Sequence, residues 1–157
     1  MSLEQRQYDP ANMYGAVDSL GATNYTGAVT GTSSFKSTSP TAGIGYGTGA
    51  GLTVTQITNR ATGVTINAVC GTITTDPTSL AAEASAVFVV TNSAVAIGDV
   101  VVVSMRSGSV ALNTEVVVSA VAAGSFSLTV INGNVASGTA ETGVIVINFA
   151  VIKGVTS

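Results

Sequence analysis

The stretch FSLTV, residues 126–130, places an apolar side chain at every second position. Successive side chains of a strand point to opposite faces. Phe126, Leu128 and Val130 therefore face one way, and Ser127 and Thr129 the other. Just before it, AAGSF (122–126) reads as a tight hairpin turn. Gly124-Ser125 suits a two-residue loop with glycine first, because that position takes a positive φ.

Working outward, β-branched runs bounded by Gly, Asn, Asp and Ser predict strands near 52–58, 64–67, 70–75, 86–92, 99–106, 115–122, 125–132 and 143–152. SGSVALNT (107–114) and INGNVASGTAET (131–142) read as longer loops. TSLAAEAS (78–85) is the one helix-like patch, a single turn at most. About eight short strands separated by turn signals predict an all-β fold, a jelly-roll-like β-sandwich, over residues 52–157.

VIVINFAVI (144–152) is apolar on both faces. Ile145, Ile147, Phe149 and Val151 share one side; Val144, Val146, Ala150 and Ile152 share the other with Asn148. A sandwich strand needs only one apolar face. The second face is expected to lie against another subunit or against the N-terminal segment.

That segment, residues 1–51, has a different composition. It holds all four tyrosines, Phe35, and glycine, serine and threonine with no sustained period. Ordering an irregular chain costs more conformational entropy than a few aromatics recover. An extended arm is expected, mobile when free and ordered against a partner. Tyr8, Tyr14, Tyr25, Phe35 and Tyr46 are its candidate anchors, since aromatic rings fill pockets with little rotamer loss. In GIGYGTGAG (43–51) glycine occupies Gly43, Gly45, Gly47, Gly49 and Gly51, a candidate hinge. If the run is extended, all five glycines share one face.

Charged residues are only 8% of the chain, against about 25% in ordinary soluble domains. A surface so poor in charge suits a protein whose faces are covered by partners. The net charge is −3 and the basic residues Arg6, Lys36, Arg60, Arg106 and Lys153 are scattered, so no phosphate-binding patch is expected and nucleic acid is not an expected partner. No apolar run reaches the ~20 residues of a membrane-spanning helix, and no membrane contact or secretion leader is expected. NYT at 24–26 fits the N-glycosylation pattern but carries no weight without such a leader.

The chain has no histidine, which removes Ser-His-Asp and Cys-His catalysis and Cys/His zinc sites. Cys70, the single cysteine, is expected to be a buried inert thiol. Asp76, Glu83, Asp99, Glu115 and Glu141 sit near turns or strand ends, where solvated acids are expected. GYGTGA (45–50) fits G-x-G-x-x-A formally, but a coil precedes it and LTVTQIT follows. The dinucleotide site needs a strand before and a helix after. No catalytic residue, metal or cofactor is expected, and the chain does not read as an enzyme.

VFVVTNSAVAIGDVVVVS (87–104), VVVSAVAAGSFSLTVIN (116–132) and VIVINFAVIKG (144–154) resemble small β-rich virion proteins of tailed bacteriophages, in particular capsid decoration (cement) proteins. The resemblance spans roughly residues 45–157 and rests on strand and turn phrasing. It implies a structural protein on the outer capsid surface, made in the host cytoplasm, often a homotrimer, binding the major capsid protein and stabilising contacts between its subunits. The alternative is a tail or fibre module binding a host glycan or receptor.

Overall fold

A computed structural model describes residues 40–41, 43–135 and 138–154. The chain divides into two compact units, Met1–Gly43 and Ile44–Ser157. Apart from residues 40, 41 and 43, the described residues belong to the second. Tyr8, Tyr14, Tyr25 and Phe35 lie outside the described residues.

The unit is all-β. Its strands are β1 (Gly51–Thr55), β2 (Val64–Thr65), β3 (Cys70–Thr74), β4 (Ser85–Thr91), β5 (Val100–Ser107), β6 (Thr114–Ala122), β7 (Ser125–Asn132) and β8 (Val146–Ile152). Each falls within a residue or so of a predicted run, except that β1 and β2 stop early and β8 starts late. Two four-stranded sheets result, ordered β1-β3-β8-β5 and β2-β4-β7-β6.

Both sheets are mixed. β1 runs parallel to β3, and β2 parallel to β4; the remaining pairs are antiparallel. The cause is the path of the chain. It alternates between sheets through β1, β2, β3 and β4, so each parallel partner is reached by a crossover through the opposite sheet. Hydrophobic pattern alone does not specify this order.

The alternation at FSLTV builds the core. Phe126, Leu128 and Val130 are buried from the second sheet, with Phe88 and Val90 beside them. Ile73, Ile145, Ile147, Phe149 and Val151 meet them from the first. The rings of Phe126 and Phe149 sit 5.5 Å apart and tilted by 48°, joining the two layers. Burying each such side chain contributes about 1.5–3 kcal/mol.

Local details depart from the sequence reading. The hairpin loop is Ala123-Gly124, not Gly124-Ser125, because Ala122 pairs with Ser125. Gly124 is therefore second in the turn, with φ +77, as a type II turn requires. The 78–85 patch forms no helical turn of its own. Leu80 makes an antiparallel bridge to Glu141, and a turn closes from Ala84 N–H to Ala81 O. Cys70 is half-buried rather than buried, and its register with Ala150 places it on the outer face of the first sheet.

The strand directions separate two ends. At one, the β1–β2, β3–β4, β5–β6 and β7–β8 connections converge. At the other lie the β2–β3, β4–β5 and β6–β7 connections, with the chain entering through Ile44–Ala50 and leaving at Lys153.

Candidate functional site

At the four-connection end sits an ionic cluster that the sequence reading did not anticipate. Glu141, expected to be solvated, is 0% exposed. Its carboxylate is ringed by donors from the β5–β6 connection. Oε2 accepts from Ser109 Oγ (2.8 Å), Ala111 N–H (3.1 Å) and Thr114 Oγ1 (2.5 Å). Val110 N–H is shared between Oε2 (3.1 Å) and Oε1 (3.2 Å), and Gly143 N–H reaches Oε1 at 2.6 Å. Burial works against the charge. The hydrogen bonds from Thr114, Gly143, Ser109 and Ala111 together outweigh it and hold the carboxyl at about 2, below its ordinary 4.5.

Two glycines allow this convergence. Gly108 has φ +100, and a Cβ there would lie 1.8 Å from Val144 O; a Cβ on Gly143 would lie 1.8 Å from Gly108 O. Only bare backbones bring the two connections this close.

Arg60, 3% exposed, completes the cluster from the β1–β2 connection. It binds backbone carbonyls rather than the carboxylate. Its Nη2 donates to Gly143 O (2.8 Å) and Glu141 O (3.3 Å), its Nε to Thr78 O (2.5 Å), and its Nη1 to Thr75 Oγ1 (3.2 Å). Burial lowers its pKa, and the charges of Glu141 and Asp76 oppose that. Gln56 shapes the loop that carries it, donating to Arg60 O (2.9 Å) and Thr62 O (2.7 Å).

The cluster is built to hold, not to react. Every lone pair of Glu141 faces a donor, and among the described residues no buried side-chain nitrogen or oxygen lacks a partner. Among the described residues, no group of His, Cys, Asp and Glu has metal-binding geometry, and no helix is long and apolar enough to cross a membrane.

At the other end, Asp99 is also buried rather than solvated. It accepts from Ala96 N–H (2.8 Å), Gly154 N–H (3.0 Å) and the Lys153 ammonium, which also donates to Ala94 O at 2.8 Å. The Lys153 bond first, then the two amides, pull its pKa down to about 2. The Lys153 side chain remains 55% exposed, so this pair is wet.

Close to it, Tyr46 donates its hydroxyl to Val151 O and lines an apolar groove of about 600 Å³. Ile44, Val102, Ala150 and Ile152 line the groove with it. Of the predicted anchors, Tyr46 alone is described, and it fastens to its own domain. The glycine run is not extended throughout. Ala50 N–H bonds Gly47 O at 3.2 Å, closing a turn with Gly49 at φ +94. Gly51 starts β1 opposite Cys70. Gly43, Gly45 and Gly47 have open space where a side chain would be.

The outer sheet faces carry almost no charge. Arg106 and Glu115 are the only charged residues in the eight strands. Across the first sheet the register aligns Thr53, Thr72, Asn148 and Ser104 in a polar row. The neighbouring row is Gly51, Cys70, Ala150 and Val102, and beyond it Ile152 (57% exposed) pairs with Val100. Val87, Val89 and Val117 are exposed on the second sheet.

Nothing in the sequence signals that Arg60 meets Glu141, which lies 81 residues away across the sandwich. Compared with known proteins, the chain matches no family model, no curated protein and no solved structure.

Proposed function

We propose that this chain is a structural virion protein that coats the outer surface of a phage capsid and stabilises contacts between major capsid protein subunits. The observation that carries the reading is the chemistry of the two outer sheet faces. They are Val/Thr/Ser-rich and nearly uncharged, and they leave Val100, Val102, Ile152, Val87 and Val89 open to solvent. Faces of that kind resemble the apolar centre of a protein interface more than a free surface. The aliphatic tip of the β5–β6 connection, Val110 and Leu112, adds exposed apolar area at one end. A protein that binds only the assembled lattice stabilises it by linkage, and an arm crossing to a neighbouring subunit raises the effective concentration of the second contact. The homotrimer belongs to the same proposal.

The glycan-binding alternative has weaker support, because Phe88, Phe126 and Phe149 are all in the core and provide no stacking platform. The test is co-sedimentation of the full chain with shells of the phage that encodes it. Wild type should pellet with the shells, whereas Val102→Lys and Thr72→Lys, placed on the outer face, should fold normally and bind more weakly. A wild-type protein that stays in the supernatant contradicts the reading.

A further inference from the structure

We infer that Glu141 is an acid-operated latch: protonating this one carboxylate releases the β5–β6 connection, residues 108–113, while the two sheets stay folded.

The geometry behind it is the one-sidedness of the site. Both Glu141 oxygens face donors only. The Ser109 and Thr114 hydroxyls can turn round to accept a proton from a neutral acid, but the Val110, Ala111 and Gly143 amides cannot. On Oε1 a carboxylic proton therefore confronts only N–H groups; on Oε2 a turned hydroxyl can take it, but the amide bonds then lose the charge that strengthened them. Protonation also strips Arg60 of its nearest countercharge. The charged group coupled to Glu141 is Arg60, from the β1–β2 connection, which then keeps only the weaker countercharge of Asp76, from the β3–β4 connection. Reducing the partner charge of a buried guanidinium is destabilising.

The release is local because of what the connection is attached to. Residues 108–113 belong to neither sheet. Beyond the carboxylate, the connection is held by Asn134 Nδ2 donating to Ala111 O, by Gly133 N–H donating to Asn113 O, by the burial of the Ala111 methyl and by the close approach of Gly108 to Val144. Leu112 adds stored strain: it sits at φ +64, costly for a bulky residue, with its side chain 92% exposed. Glu141 thus holds in one conformation a loop that its own residues disfavour. The ladders, by contrast, rest on the core that Phe126 and Phe149 join, and Glu115 is the one acidic residue within them.

The test follows backbone amide signals of the ¹⁵N-labelled full chain by NMR, from neutral pH down past the Glu141 value of about 2. The amides of Val110, Ala111 and Gly143 should shift together and lose exchange protection before Phe88, Leu128 and Ile147 do. Loss of all six at one midpoint, or loop amides that do not move, overturns the latch. Thr114→Val removes one donor and should move the loop midpoint up toward the ordinary 4.5; an unchanged midpoint also overturns it. In Glu141→Gln the loop should be open at neutral pH, with no acid step remaining. Because the wild-type titration needs no variant, the latch stays testable if Glu141→Gln does not fold.

Discussion

The two ends of the sandwich each bury one carboxylate, and both carboxyls are held at about 2. The means differ. Asp99 is drawn down first by the lysine it touches, whose side chain stands half in water. The Glu141 carboxylate is held by neutral donors, and Arg60 reaches only its backbone carbonyl. Hydroxyls and amides hold its charge in a site without solvent, and Arg60 ties the carbonyls around it. A wet ion pair gains little, because water competes for both partners. A dry, fully donated carboxylate contributes more, and its loss leaves donors and a cation stranded. The end with four connections is thus the locked one, and the end where the chain enters is the adjustable one.

Breaking the locked end gives the largest effect. Glu141→Ala should cost about 3–5 kcal/mol in urea unfolding, the usual penalty for removing one partner of a buried charged network. Next comes Arg60→Met, at about 2–3 kcal/mol, since the carbonyls of Thr78, Glu141 and Gly143 lose their donor. Asp99→Asn should lower the melting temperature by less than either, and added salt should shrink the difference from wild type. Tyr46→Phe should be the mildest, within about 1 kcal/mol, with faster amide exchange confined to residues 44–50.

The pH dependence sharpens the same contrast. Both carboxylates bind their proton more weakly in the folded chain than in the unfolded one. Their contribution is therefore fully present above the ordinary values of 3.8 and 4.5 and is lost as pH falls toward about 2. For Glu141 the shift corresponds to about 3 kcal/mol. Glu141→Gln should flatten most of the stability loss in that window, and Asp99→Asn the smaller remainder, measured as midpoint against pH.

The strands were legible because their signal is local. Alternation at FSLTV names its own inward face, and the structure buries Phe126, Leu128 and Val130 accordingly, whereas the β-branched run of β8, apolar on both sides, marks a strand without telling which side faces in. The sheet order was not legible, since parallel pairing of β1 with β3 arises from a crossover and not from any residue pattern. Glu141 and Asp99 were misread as solvated for a related reason. A glutamate in SGTAETG looks like any loop acid, and only the fold brings Arg60, Thr114 and Gly108 around it. The Gly124 turn was read one residue late because local sequence marks a turn but not its register. In GIGYGTGAG the flexibility of glycine was visible, but the bond between Gly47 and Ala50 was not.

The uncharged faces carry the central claim, that this domain works as one repeating piece of a shell. Its most direct test is copy number, measured by quantitative mass spectrometry of purified virions of the phage that the proposal implies. The account predicts copies in proportion to the major capsid protein, one or a few for each capsomer. A handful of copies per particle, as expected of a tail or connector component, would contradict it.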